Sequence, residues 1–275
     1  MNPRPGTGSC RGRAVWADGV FRDPDAPLFP PFESSLLRGL GLIESFRMLR
    51  GRPIPDFGVH LQRLRWGAGR LAFGPVPPLE EAEIRDELLE RAGLDEGRGR
   101  LHLLPAGARP RFLWTVEPLP EPPPPLRLTF SPFRRGNLDP TASLKHASRG
   151  FLEAALREAR DRGFDEAILL GEQGEVRECC GANLFLVETS GTVVTPTLVD
   201  GFLPGVTRGR LCRILREHGI PVRERTVFAE ELEDAREVFL TNAVQGILPA
   251  ASVEERILPE TAARERWLRW IREET

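Results

Sequence analysis

Lysine is almost missing from this chain. Of its 38 basic side chains, Lys145 is the only lysine and the other 37 are arginines. A surface charge, a phosphate contact or a salt bridge accepts either residue with some loss of geometry. One task does not transfer. An arginine guanidinium stays protonated at any working pH, whereas a lysine amine can lose its proton and attack a carbonyl to form a Schiff base. Lys145 is therefore either kept for such chemistry or a chance survivor of compositional drift, and composition alone leaves the two readings even.

Tyrosine is absent altogether, so any role that needs a phenol falls to another group. No apolar run approaches the roughly 20 residues that span a bilayer. The start, Met1-Asn2-Pro3-Arg4-Pro5-Gly6, lacks the apolar core of a secretory signal. The four cysteines, Cys10, Cys179, Cys180 and Cys212, show no metal-ligand spacing, and two of them are adjacent. They predict reduced thiols in a cytoplasmic protein and no metal site. Net charge is small as well: −2, the difference of two large totals. That leaves no strong field for a nucleic acid or a membrane surface, so neither is expected as a partner.

What is present suits a soluble globular chain with ample material for a core, since 40% of residues are hydrophobic and 28% charged. Its 275 residues suggest one large domain or two of ordinary size. The clearest boundary is Pro118-Leu119-Pro120-Glu121-Pro122-Pro123-Pro124-Pro125, a stiff connector that neither continues a helix nor donates to a sheet. It predicts an N-terminal α/β domain over 1–117, a linker over 118–125 and a C-terminal domain over 126–275. In the first part, strands are expected near 13–16, 41–49, 100–104 and 111–116, with helices over 59–73 and 79–92, the latter stopped by Gly93. In the second part a strand over 126–130 precedes a helix over 148–162, ended by Gly163. Two hairpins follow, over 166–174 and 183–195, then a helix from Gly205 to about 217. A strand over 237–241 and a final helix from about Glu260 complete the pattern. Strands outnumber helices and hairpins are frequent, so the class is α+β.

Four places carry potential chemistry. Lys145 follows the loop Asn137-Leu138-Asp139-Pro140-Thr141 and precedes a helix, a good position for a side chain that faces a cleft. Downstream, Glu178 in Glu178-Cys179-Cys180-Gly181-Ala182-Asn183-Leu184-Phe185 is a carboxylate followed by small residues and an apolar strand. It reads either as an acid facing a ligand or as a hairpin-edge glutamate paired with an arginine. Gly205-Val206-Thr207-Arg208 opens a helix after a proline, where backbone amides form a ready phosphate site. Helix starts also look like this for capping alone. His60 and Arg63 lie one turn apart on the first long helix, and Arg63 is able to pair with a phosphate through two parallel bonds. Most arginines in such a chain are solvated charges.

Together these residues resemble the class IV (fold type IV) pyridoxal-phosphate family, which includes branched-chain and D-amino-acid aminotransferases and aminodeoxychorismate lyase. The resemblance covers roughly residues 13–250. It rests on His60-Leu61-Gln62-Arg63-Leu64, on Lys145 with its following helix, on Glu178 through Phe185, on Leu203-Pro204-Gly205-Val206-Thr207-Arg208, and on Asn242 through Pro249. It implies the two-domain α+β fold of the D-amino-acid aminotransferase type, pyridoxal 5'-phosphate as cofactor, a small-molecule amine substrate and a homodimer. It further implies that Lys145 is the catalytic residue, carries the cofactor as a Schiff base and moves protons. Glu178 would hold the pyridine nitrogen. Arg63, the amides of Val206 and Thr207, and Asn242 would hold the phosphate.

Within the family, Leu144-Lys145-His146 with Arg149, Glu178-Cys179-Cys180 with Ala182-Asn183-Leu184-Phe185, and Asn242 with Gly246-Ile247 and Pro249 resemble the aminodeoxychorismate lyase branch. The expected activity is thus release of pyruvate and 4-aminobenzoate, in folate synthesis. An aminotransferase of open amino-acid preference is the rival, and a cofactor-binding protein without turnover is the third reading. Two departures stand out. Leu40 occupies a position where an aspartate is usual, and Ala106 one where many members place an arginine for the substrate carboxylate. The second argues against D-amino-acid transamination and leaves Arg100, Arg109 and Arg111 as candidate replacements.

Overall fold

The computed structural model describes residues 12–28, 34–106, 109–136, 139–198, 202–259 and 262–273. Cys10, Asn137, Leu138, Gly107 and Glu260 lie outside the described residues. The chain divides by its contacts into two compact units: Met1–Glu121 with Lys145–Ser148, and Pro122–Leu144 with Arg149–Thr275.

The first unit contains β1 (Ala14–Ala17), β2 (Val20–Arg22), α1 (Ser34–Arg38), β3 (Leu42–Leu49), α2 (Phe57–Arg70), α3 (Glu81–Ala92), β4 (Glu96–Leu104) and β5 (Arg111–Glu117). Its five strands form an antiparallel sheet in the order β2-β1-β5-β4-β3. Both long helices were expected from their periodicity, and Gly93 caps α3 in the left-handed conformation at φ 68°. The buried stripe of α2, His60, Leu64, Gly67 and Ala68, covers a sheet face centred on Phe46 and Trp114. Phe46 meets Trp114 edge-on at 5.7 Å, and Phe57 stacks on Trp114 at 5.7 Å. Each aliphatic or aromatic side chain buried there contributes about 1.5–3 kcal/mol. Strand β4 begins four residues earlier than the sequence suggests, because glycines at 97 and 99 weaken the strand signal. A Cβ at Gly99 would overlap Met48 and Phe46, so the missing side chain is what lets those two large residues lie over β4.

The second unit contains β6 (Leu126–Arg134), α4 (Gly150–Asp161), β7 (Glu166–Leu170), β8 (Val176–Cys179), β9 (Asn183–Val187), β10 (Val193–Pro196), α5 (Val206–Glu217), β11 (Val222–Arg225), α6 (Glu231–Asp234), β12 (Glu237–Asn242), β13 (Gly246–Val253), β14 (Arg256–Ile257) and α7 (Ala262–Glu273). The sheet runs β11-β10-β9-β12-β13-β6-β7-β8, with β14 attached to β13. Helix α4 links the parallel neighbours β6 and β7, and Gly163 follows it at φ 88°. Successive strand residues feed separate cores. Phe185 packs with Leu211, Leu215 and Trp267 from α5 and α7, while Leu184 and Leu186 belong to the core on the opposite face. Burial on both faces makes β7 and β9 continuous apolar runs rather than alternating ones.

Sequence reading missed β13 for a physical reason. Pro249 argues against a central strand, yet the parallel ladder to β6 starts only at Ala250, so Pro249 lies outside it. Cys179 and Cys180 point into different cores, and both are free buried thiols, as is Cys212. Burial pushes all three thiols up. Among the described residues no helix is long and apolar enough to cross a membrane.

Candidate active site

In the first unit the chemistry gathers on β3 and α2. Glu44 sits on β3 in the apolar run Leu42-Ile43-Glu44-Ser45-Phe46 and is only 1% exposed. Arg63 donates Nε to Oε1 at 2.8 Å and Nη2 to Oε2 at 2.6 Å. His60, also 1% exposed, places Nδ1 2.6 Å from Oε2. Burial alone would raise the carboxyl pKa, but hydrogen bonds and charge from His60 and Arg63 outweigh it and hold the group at about 2. Glu44 is therefore ionised and accepts only, which makes Nδ1 the protonated nitrogen of His60.

Lys145 lies beside this cluster along the backbone. Its carbonyl accepts the Ile43 amide at 2.8 Å, Ala147 donates to the Gly41 carbonyl at 2.8 Å, and His146 bridges Leu42. The lysine is thus pinned by its backbone next to the single rung at His146, on the outer edge of β3, a firm setting for a residue read from sequence as standing between a loop and a helix. The three candidate replacements for the arginine missing at Ala106 fare differently. Arg100 pairs with Glu117 and Arg111 with Asp18, while Arg109 is exposed.

In the second unit Glu178 is the penultimate residue of β8. It is buried and accepts Nη1 of Arg135 at 2.8 Å, and Nη2 of the same arginine donates to the Ala142 carbonyl at 2.9 Å. The arginine partner foreseen for a hairpin-edge glutamate is present, yet the pair is interior, with side chains 11% and 8% exposed. A tight turn at Cys179–Ala182 leads to β9. Glu166 supports that turn by accepting the Cys180 amide at 3.1 Å, and Arg149 donates to the Cys180 carbonyl at 3.1 Å.

At the start of β9, Asn183 pairs in register with Thr241 and donates Nδ2 to the Leu203 carbonyl at 3.1 Å. That bond sets the approach to α5. Gly205, the N-cap, has no side chain to offer the first amides of the helix, although Val206 and Thr207 are buried. A buried helix start without a side-chain cap suits an anion. Asn242 turns its Oδ1 to the amides of Val244 and Gln245 at 3.0 and 2.8 Å. Its amide nitrogen is then the atom suited to a phosphate, and its oxygen closes the β12–β13 turn. Beside it, the hydroxyl of Thr241 is buried without a hydrogen-bond partner.

Thus Arg63 and Lys145 belong to the first unit and Glu178, Val206, Thr207 and Asn242 to the second, where Asn183 joins the approach to α5 to Thr241, the neighbour of Asn242. Sequence reading missed Glu44, Arg135 and Asn183 as organisers. The one-turn spacing of His60 and Arg63 was the available signal for an acid opposite them. Nothing in the sequence pointed to Arg135, 43 residues before Glu178.

A Cβ at Gly205 would overlap Oδ1 of Asn183. Gly205→Ala is expected to destabilise the protein by about 1–3 kcal/mol. In an Asn183→Ala background the same change should cost about 1 kcal/mol less. Urea unfolding of the two single variants and the double variant measures this coupling, and strict additivity would remove Asn183 as the organiser of the α5 start.

Comparison with known proteins agrees on the family. The amino-transferase class IV family matches residues 41–253. The probable branched-chain-amino-acid aminotransferase of Thermotoga maritima is 31% identical over 248 residues, covering 88% of this chain and 87% of that protein. The crystal structure of 4-amino-4-deoxychorismate lyase from Pseudomonas aeruginosa superposes with a TM-score of 0.78 at 30% identity, covering 94% of this chain and 98% of that one. An aminotransferase from Brucella abortus bound to the co-factor PLP gives a TM-score of 0.84 at 26% identity, covering 96% and 99%. The chain belongs to the class IV amino-transferase family.

Proposed function

We propose that this enzyme is a pyridoxal-phosphate-dependent aminodeoxychorismate lyase. The observation that carries this reading is the combination Leu144-Lys145-His146, Glu178-Cys179-Cys180 and Asn242, together with the 30% identity to the Pseudomonas lyase. The residues present fit the cofactor: a buried, uncapped helix start at Val206 and Thr207, an asparagine whose oxygen is turned away into its own turn, and a buried acid held by Arg135.

Pyridoxal phosphate, when bound, supplies an aldehyde carbon for the substrate amine and a ring that takes up electrons. Lys145 would be the residue that holds that carbon, and its amine, when free, would take the proton from the amine-bearing carbon of the substrate. Glu178 would keep a proton on the ring nitrogen, held in place by Arg135. Arg63, the amides of Val206 and Thr207, and Nδ2 of Asn242 would hold the phosphate. A proton passes to the departing enolpyruvyl group, which leaves as pyruvate, and the remaining ring becomes 4-aminobenzoate. No water and no 2-oxo acid is consumed. Aromatisation supplies the driving force, so the protein mainly orients groups and relays protons.

The second reading, a branched-chain aminotransferase, is favoured by the Thermotoga relative. It uses the same lysine and acid but must accumulate aminated cofactor when given an amino donor alone. Holoenzyme mixed with aminodeoxychorismate and no added acceptor should release pyruvate and 4-aminobenzoate in equal amounts. L-Leucine or D-alanine alone should leave the cofactor spectrum largely unchanged. Rapid conversion by an amino acid, with no pyruvate from the chorismate derivative, would establish the aminotransferase instead. Cofactor that exchanges with no amine at all would mark a binding protein without turnover.

A further inference from the structure

We propose that His102 is a specificity-determining residue for the substrate: its imidazole donates a hydrogen bond to a carboxylate carried at the end of the substrate ring away from the amine. The inference rests on the lyase reading and adds the class of group that the protein recognises.

Strand register carries the placement. The Ile43 amide binds the Lys145 carbonyl, and His146 opposes Leu42 in the antiparallel rung, so Lys145 stands opposite Ile43. Ile43 in turn pairs with His102 of β4, and His102 with Leu113 of β5. Directly opposed residues of antiparallel strands project from the same face. Lys145, Ile43, His102 and Leu113 therefore form one row. It lies on the half-buried face of β4, opposite the core that Leu101 and Leu103 enter. Two strand spacings separate His102 from the lysine, roughly 10 Å between backbones. That leaves room for a single ring between the two side chains.

The state of the imidazole points to a ligand. Its neighbours in the row, Ile43 and Leu113, are aliphatic, and among the described residues it makes no hydrogen bond. Burial, with the charge of Arg100 adding to it, holds its pKa at about 4. The ring is therefore neutral at working pH, with one N–H to donate. On the same face Arg100 pairs with Glu117 and Arg111 with Asp18. A pocket for an aliphatic side chain would leave the N–H of His102 unpaired, which is costly, whereas a carboxylate accepts it. A site built around such a bond rejects an analogue that lacks the accepting group. The row thus suits an amine with an acid at its far end, and not a branched aliphatic amine.

The test measures, by titration calorimetry on full-length holoenzyme, the affinities for 4-aminobenzoate and for aniline, which lacks the carboxylate. Wild type should prefer 4-aminobenzoate by about tenfold or more. His102→Leu should lower that preference by about tenfold, while aniline affinity stays within about twofold of wild type. His102→Gln keeps an N–H donor and should retain more of the preference than His102→Leu. His102→Asn, too short to reach the same point, replaces the leucine variant if that one does not fold. A folded leucine or asparagine variant with wild-type preference, or with equal losses for both ligands, overturns the inference and leaves the lyase reading standing. A wild type that binds the two ligands equally, or binds neither, overturns the inference and counts against the lyase reading as well.

Discussion

Lys145→Arg is expected to lower turnover by more than about 10³-fold, since the proposed mechanism assigns to Lys145 both the hold on the cofactor carbon and the movement of the substrate proton. Folding should survive, because the contacts that pin this position to β3 are backbone ones: the Lys145 carbonyl to the Ile43 amide, and the flanking Ala147 amide to the Gly41 carbonyl. The charge is kept as well. Borohydride reduction of cofactor-loaded wild type, followed by peptide mapping, should leave a phosphopyridoxyl group on the peptide containing Leu144-Lys145-His146. No other lysine exists to compete, so only the N-terminal amine offers an alternative. Cofactor retained on no peptide, or turnover surviving in the arginine variant, would remove Lys145 from the mechanism.

Glu178→Gln separates an acid that serves the cofactor from one that serves only a salt bridge. Loss of the charge that the proposed mechanism assigns to the ring nitrogen should reduce turnover by about 10²-fold or more, with much of the cofactor content retained. The variant also strips the ionic partner from Arg135, a guanidinium only 11% exposed, so a stability loss of about 1–3 kcal/mol is expected alongside. Arg135→Met is the control. It should destabilise to a similar degree and disturb the placement of Glu178, yet leave a carboxylate at the site and more of the turnover. Equal turnover in Glu178→Gln and wild type, with the stability loss present, would reduce Glu178 to an interior salt-bridge partner.

The legible parts of the protein were those in which one residue type or one short spacing decides the matter. Lys145 stood out because arginine cannot perform its chemistry. Helix α4 was readable from a single apolar stripe, and Gly93 and Gly163 ended their helices where a left-handed residue was required. Cys179 and Cys180, expected as reduced thiols, are free and lie in different cores. The illegible parts were those where a long-range neighbour overrides a local signal. Pro249 hid a central strand: it pairs with Phe239 of β12, and the ladder to β6 begins one residue later. Gly97 and Gly99 hid the start of β4, although their bareness is what admits Met48, Phe46 and Val116.

By itself the sequence determined which groups were equipped for chemistry: one lysine able to lose its proton, an acid ahead of small residues, and a glycine-led helix start after a proline. It did not determine how they are held. With 37 arginines and 40 acidic residues in the chain, charge alone permits almost any pairing, and attraction through water is too weak and too long-ranged to choose among them. Only the tertiary structure decided that Arg63 meets Glu44, that Arg135 meets Glu178 and that Lys145 rests on β3, because strand register and helix packing bring those groups, and not others, within hydrogen-bonding reach after water has been excluded.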